Sequence, residues 1–210
     1  MTPGELLTEW RRKVFDTVAP YLWSQEEFLS YLDEAQKVFI RGIGGVVDRT
    51  SPLRKVVVKA GSNTVALDEL ILDVERAAIV GLDELRRVGA NRIGMEVYNG
   101  SPSLFALDAA DGVLLLDKSV DADTTIIMQV RRMPLDDVTT TGDELEVPSR
   151  YHRALLEYVT ALAYRKPDPE TQDKEASARA EQNFALHLEG AKREMSRLRE
   201  PVRTVSYGGL

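Results

Sequence analysis

The chain has no cysteine among its 210 residues, which excludes a disulfide framework, a cysteine-based metal site and a thiol nucleophile. Histidine is nearly as scarce, with only His152 and His187. Each falls in a segment of helical periodicity with no second histidine three or four residues on, so a helical zinc pair is excluded. Both are read as surface or interface residues. No run of 18 apolar residues occurs, and the start interleaves Glu5, Arg11, Arg12 and Lys13 with apolar positions. That pattern gives neither a membrane span nor a signal-peptide core, so the expected setting is aqueous, without a membrane partner or a signal-dependent export route. The redox compartment stays open, although a reducing one fits. A positive surplus is missing too. The formal charge of -7 opposes nonspecific binding to nucleic acid, which needs clustered lysine and arginine, although local basic patches stay possible. Repeats and low-complexity tracts are absent. What remains, 43% apolar and 29% charged, is an ordinary globular composition with enough apolar residues for a real core.

Two helical ends, Thr2 to Ile40 and Ser149 to Leu198, bracket a middle of short strands from Leu53 to Val147. Thr2, Pro3 and Glu5 form a capping box with proline at the first helical position. The face of that helix reads Leu7, Trp10, Val14 and Val18, ending near Pro20. Ser24 and Glu27 form a second box, with Trp23 and Phe28 placed as a hydrophobic staple. Phe28, Tyr31, Leu32, Ala35 and Phe39 then line one face, and Gly42, Gly44 and Gly45 stop the helix. In the middle, Val56 to Val58, the turn Gly61-Ser62-Asn63 and Thr64 to Leu67 read as a hairpin. Ile71 to Val80 is ambiguous, with strand favoured for its latter half, and Leu82 to Val88 reads as one or two helical turns. Strands are expected at Ile93 to Tyr98, Leu104 to Leu107, Val113 to Leu116 and Thr124 to Arg132, with Asn99-Gly100 and Asp111-Gly112 as turns. Helical character returns with Tyr151, Leu155, Tyr158 and Leu162 on one face. Lys166-Pro167-Asp168-Pro169 breaks it, and Asp168 with Pro169 starts a last helix reaching about Leu198. Its stripe of Ala180, Phe184, Leu188, Ala191, Met195 and Leu198 is narrow, and thirteen of the 31 residues from Glu170 to Glu200 are charged, so part of it is expected to leave the core or line an interface.

The expected fold is therefore α+β: a bundle of residues 1–52 and 148–200, an inserted small antiparallel β-sandwich or barrel at 53–147, a long C-terminal helix, and an extended arm at 201–210 anchored by Val202, Val205 and Tyr207.

Catalytic constellations are hard to find. Asp121 and Asp123 form a D-x-D in a turn but lack the glycine and glutamate of an EF-hand loop, and they read as solvated turn residues. Asp73 and Glu75 alternate along a possible strand and read as structural. Gly42-Ile43-Gly44-Gly45 follows a helix rather than a strand and lacks the lysine and hydroxyl of a phosphate loop, so it reads as a flexible connection. No G-x-S-x-G is present, and Ser101 has no histidine near it in sequence. No catalytic, cofactor or metal residue is assigned. The charge feature with direction is C-terminal: Lys192, Arg193, Arg197, Arg199 and Arg203 against Glu194 and Glu200. It fits either complementarity to the negative end of a helix dipole or docking to an acidic partner.

Three segments, Leu22-Trp23-Ser24 through Tyr31-Leu32-Asp33-Glu34-Ala35-Gln36, Val147-Pro148-Ser149-Arg150-Tyr151-His152-Arg153-Ala154-Leu155-Leu156-Glu157-Tyr158, and Ala163-Tyr164 through Asp168 to Phe184, resemble in order and spacing the head-to-tail adaptor (connector) proteins of tailed bacteriophages. The tail tubular gatekeeper-type proteins of short-tailed phages are among them. Asp33 stands where that family often has asparagine. The resemblance implies a noncatalytic structural virion protein in the neck, assembled in the host cytoplasm as a ring of about twelve copies beneath the portal protein. Such a ring extends the channel for genomic DNA, without sequence-specific binding, and offers a surface to tail or nozzle proteins. It further implies that the C-terminal segment docks on the portal, through Arg193, Arg197, Arg199, Arg203, Val205 and Tyr207. An acidic lumen that lets DNA slide is the corresponding electrostatic expectation. Rival readings are a stopper or tail-completion protein of the same neck, an enzyme using Asp73, Glu75 or Asp121, and a free-standing host module.

Overall fold

Each of the first two helices begins where a side chain and a backbone amide trade hydrogen bonds. The computed structural model describes residues 1–94 and 98–199. In α1 (Pro3–Lys13) the Thr2 hydroxyl accepts from the Glu5 amide at 3.2 Å and the Glu5 carboxylate from the Thr2 amide at 3.0 Å. In α2 (Gln25–Gly42) Ser24 and Glu27 do the same at 3.1 and 2.9 Å. The chain forms two compact units, Met1–Ile43 with Asp137–Leu210, and Gly44–Asp136.

The first unit adds α3 (His152–Arg165) and α4 (Lys174–Arg199). Trp10 is fully buried between two other rings, with centroids 5.3 Å from Trp23 and 5.2 Å from Phe28. Both indoles are satisfied on α3: Trp10 Nε1 donates to Thr160 Oγ1 at 3.1 Å, and Trp23 Nε1 to the Ala163 carbonyl at 3.3 Å. Large rings whose N–H finds a partner give area burial without an orphaned donor. Asp33, the departure from the family pattern, has a use here. It accepts from the Val138 amide at 3.0 Å and pairs with Lys37, tying the segment before α3 to α2. α1 stops at Lys13 rather than near Pro20, because the buried Asp16 carboxylate binds the Leu22 and Trp23 amides and turns the chain. The helical register is then lost, and Val18, expected on the apolar face, is 77% exposed.

The second unit is a curled, half-barrel sheet. Its strands are β1 (Val46–Asp48), β2 (Lys55–Val58), β3 (Thr64–Ala66), β4 (Ile71–Ile79), β5 (Glu84–Arg87), β7 (Leu104–Asp108), β8 (Val113–Leu116) and β10 (Thr124–Arg132). The order is β1-β10-β4-β5-β7-β8-β3, with β2 also on β10; β6 (Tyr98–Asn99) and β9 (Lys118–Ser119) pair separately. Val58, Val74, Phe105, Leu114, Ile126 and Val130 are completely buried in its core.

Several expectations change here. The 56–67 segment is not a hairpin: β2 pairs with β10 and β3 with β8. The turn between them gives its polar groups to another segment, Gly61 donating to Val120 while the Ser62 carbonyl accepts from the Val120 amide, and the strands part. All of Ile71–Ile79 is strand. Leu82 to Val88 contains β5 rather than helical turns, with Leu85 alone turned inward. The sheet is mixed, because β5 runs parallel to β7 and β6 to β9. Of the 93–98 stretch, residues 95–97 lie outside the described residues, and among those described Tyr98 is in a strand while Ile93 and Gly94 are not. Gly45 is a close-packed position rather than a flexible one: its φ is +87°, and a Cβ there would lie 3.0 Å from the Arg132 amide nitrogen.

This unit holds a buried ion pair. Asp48 and Arg132 are 3% and 8% exposed and meet through the arginine Nε. Asp48 Oδ1 also accepts from the Thr50 and Ser51 amides at 2.9 and 3.0 Å. Burial alone would raise this carboxyl, but hydrogen bonds from Ser51, Arg132 and Thr50 outweigh it and hold the group well below the usual range.

Candidate functional site

The long helix α4 is set by local chemistry at its start. The segment Lys166-Pro167-Asp168 ends α3, as expected. The cap, however, is Asp173, whose Oδ1 accepts from the Glu175 and Ala176 amides at 3.0 and 2.9 Å. Asp168 instead closes the preceding turn, accepting from the Glu170 amide at 2.9 Å. The later start leaves 26 residues, about 39 Å at 1.5 Å per residue. Ala176, Ala180, Phe184 and Ala191 are buried, and Phe184 meets Tyr158 and Phe39 at centroid distances of 4.8 and 6.2 Å. Near its C-terminal half α4 runs close to α2, since a Cβ on Gly42 would lie 2.7 Å from Leu188 Cδ1. Packing therefore extends much further along the helix than its charge content suggests.

The basic cluster divides according to partners. Lys192 bonds Glu189 at 2.7 Å and lowers that carboxyl. Glu194 accepts from the Tyr151 hydroxyl and lies 3.3 Å from Arg150. Burial and the Glu194 bond push the Tyr151 phenol up, so it stays a donor. Arg193 and Arg197 remain exposed, without an ion pair among the described residues. One helical turn apart, they share a face, and Leu186, 73% exposed, precedes Arg193 by two turns on the same face. The surface is thus a stripe of one apolar and two cationic side chains, interrupted by Glu189, whose carboxylate bonds Lys192. Arg199 ends the helix, and its side chain, with Arg203, Val205 and Tyr207, lies outside the described residues.

Sequence reasoning missed Leu186, whose signal was being out of phase with the 180, 184, 188 and 191 stripe. It also missed the loop between α1 and α2, where Phe15, Val18, Tyr21 and Leu22 are 91%, 77%, 45% and 45% exposed. Arg11 stacks on Tyr21, its guanidinium carbon 3.5 Å from the ring centroid.

The other candidate residues do not converge. Asp73 binds Arg87 through both oxygens, at 2.8 and 3.1 Å. Glu75 binds Arg131 and the Gln129 amide. Asp123 bonds Lys59 and the Ala60 amide, the former holding its carboxyl below the usual range. Asp121 is exposed at the rim of an open cleft beside Ser101. His152, expected at a surface or interface, is buried: its Nε2–H donates to the Val147 carbonyl at 2.7 Å, and desolvation lowers its pKa. His187 is exposed. Among the described residues no three acidic or histidine side chains come together as a metal site, and no helix is long and apolar enough to cross a membrane.

A family model described as SU10 adaptor protein matches residues 1–205. No curated protein matches the chain.

Proposed function

The chain belongs to the SU10 adaptor protein family, which makes it a structural adaptor of a bacteriophage virion, and we propose that it is the head-to-tail ring beneath the portal. In this reading about twelve copies close around the DNA path, extend the channel for the passing genome and offer tail or nozzle proteins their attachment surface. The closer likeness to the gatekeeper-type adaptors of short-tailed phages belongs to the same proposal, as does an acidic lumen over which DNA slides. The observation that carries portal docking is the α4 stripe: Arg193 and Arg197 form no ion pair among the described residues and stand in line with the exposed Leu186. Unpaired arginines beside an apolar anchor favour an acidic protein surface. Arg199, Arg203, Val205 and Tyr207 are proposed to continue that contact.

The test is a pull-down of purified portal by the full chain, by Arg193→Glu/Arg197→Glu, and by a chain ending at Pro201. Both altered proteins are expected to remain folded by circular dichroism and to lose portal binding. Undiminished binding by both would remove the docking assignment.

A further inference from the structure

The outward face of β4, β5 and β10, with the connection from β1 to β2, carries a cationic surplus in a chain of formal charge -7. Its three carboxylates are consumed: Asp73 by Arg87, Glu75 by Arg131, and Glu84 by a forked pair with Arg76. Arg49, Arg54, Lys55 and Arg86 are left with no ion pair among the described residues. Two of these heads are held in place rather than free to swing. Arg49 Nε donates to Gln129 Oε1 at 3.1 Å, and Arg54 Nη1 donates to the Arg49 carbonyl. Together with Arg76 they overhang a cleft of about 260 Å³ whose floor includes Ala78 and Ile127. Cross-strand neighbours Ala78 and Ile127 share that outward row, and the small Ala78 leaves the space. Glu84 also lines the cleft but is already taken by Arg76, and like charges gathered on one face in excess of the carboxylates there are unfavourable unless a further anion joins them.

The cleft combines a guanidinium rim with an apolar floor. A carboxylate next to an apolar side chain matches both parts, whereas a phosphodiester backbone offers nothing to the floor. The chain itself holds such a segment. Residues 134–146 contain Asp136, Asp137, Asp143, Glu144 and Glu146 and no lysine or arginine. Leu135, 40% exposed, directly precedes the exposed Asp136. We propose that this cleft takes the acidic segment of a second copy of the chain, with Asp136 between Arg49 and Arg54 and Leu135 over Ala78 and Ile127. Because the two patches differ, the contact is head-to-tail and can propagate into a closed ring. It rests on the ring reading and gives that ring one of its subunit contacts.

The absence of cysteine makes the test direct. Full-length Thr50→Cys, which keeps all three arginines, is mixed with full-length Asp136→Cys, and disulfide-linked heterodimer is followed on non-reducing gels. Asp83→Cys, at another exposed acid, replaces Asp136→Cys in the control. The expected result is about tenfold faster linkage than in the control, as proximity raises the effective concentration, with the advantage shrinking as salt rises. Equal rates would overturn the contact. Native mass spectrometry of the unmodified chain separates the two failures: oligomers with equal rates reject this contact and leave the ring, whereas monomers with equal rates count against both. Duplex DNA binding abolished by Arg49→Glu/Arg54→Glu, with equal linkage rates, would reassign the cleft to phosphate and overturn the proposal.

Discussion

The two units are built on different chemistry. In the helical unit Trp10, Trp23, Phe28 and Phe39 are buried to 1% exposure or less, and contacts reach across the sequence, as in the Trp10 bond to Thr160, 150 positions away. In the β unit the core is mainly aliphatic, with Phe105 as its aromatic member, and the outward face is laced with arginine–carboxylate pairs. The difference teaches where each unit is vulnerable. A few large rings concentrate stability in single positions, whereas a sheet spreads it over many small contacts and backbone bonds.

That contrast can be broken most sharply at Trp10. Trp10→Ala should cost about 3–5 kcal/mol, read from urea denaturation, while Ile126→Val in the sheet should cost only about 0.5–1.5 kcal/mol. Comparable losses would erase the distinction.

Next is the point at which the sheet does depend on one contact. Arg132→Ala leaves the buried Asp48 without its guanidinium, and about 3–5 kcal/mol should be lost at neutral pH. The sign of the acid response follows from the lowered Asp48 carboxyl. Its contribution is complete above the unfolded value near 4 and is lost as pH falls below it toward the folded value. Asp48→Asn should therefore be less stable than the unmodified chain at neutral pH, with a flatter decline on acidification in parallel thermal melts. A decline as steep as before would assign the acid response elsewhere.

A smaller effect is expected at the close-packed glycine. Gly45→Ala should cost about 1–3 kcal/mol, from the positive φ and the tight approach to Arg132, whereas Gly112→Ala, with nothing within 4 Å, should lose only the strain of its positive φ. Differential melting of the two variants measures the packing part.

The smallest effect on stability belongs to the α4 stripe. Arg193→Ala/Arg197→Ala should change unfolding by no more than about 0.5 kcal/mol, since the two side chains are exposed and without ion pairs among the described residues. Their loss should appear in portal binding instead.

The parts of this architecture legible in the sequence were those decided within a few residues. Ser24 and Glu27 marked the α2 start because a capping box is a local exchange of bonds, and Ala180 and Phe184 marked the inward face of α4 by spacing alone. The α+β class followed from the same local patterns. Strand partnership was not legible, since the turn at Gly61 permits a hairpin and only Val120, nearly sixty residues on, diverts it. The α1 end was hidden for a similar reason: Asp16 stops the helix by binding amides that lie beyond the turn. The α4 stripe proposed for docking was half visible. Arg193 and Arg197 stood out as charge, but which basic residues keep their charge free depends on Glu189 and on the Tyr151 and Arg150 contacts that hold Glu194. The arginine-rimmed cleft could not be read at all, because its rim joins Arg49 and Arg54 of the β1–β2 connection to Arg76 of β4, two stretches brought together only by the sheet.

The central claim is assembly on a portal, and native mass spectrometry of the purified chain titrated onto the purified portal ring of the same virus tests it most directly. The account predicts one discrete complex carrying about twelve copies of the chain, absent when Arg193 and Arg197 are reversed in charge. Portal and chain travelling as separate species at every ratio would contradict it.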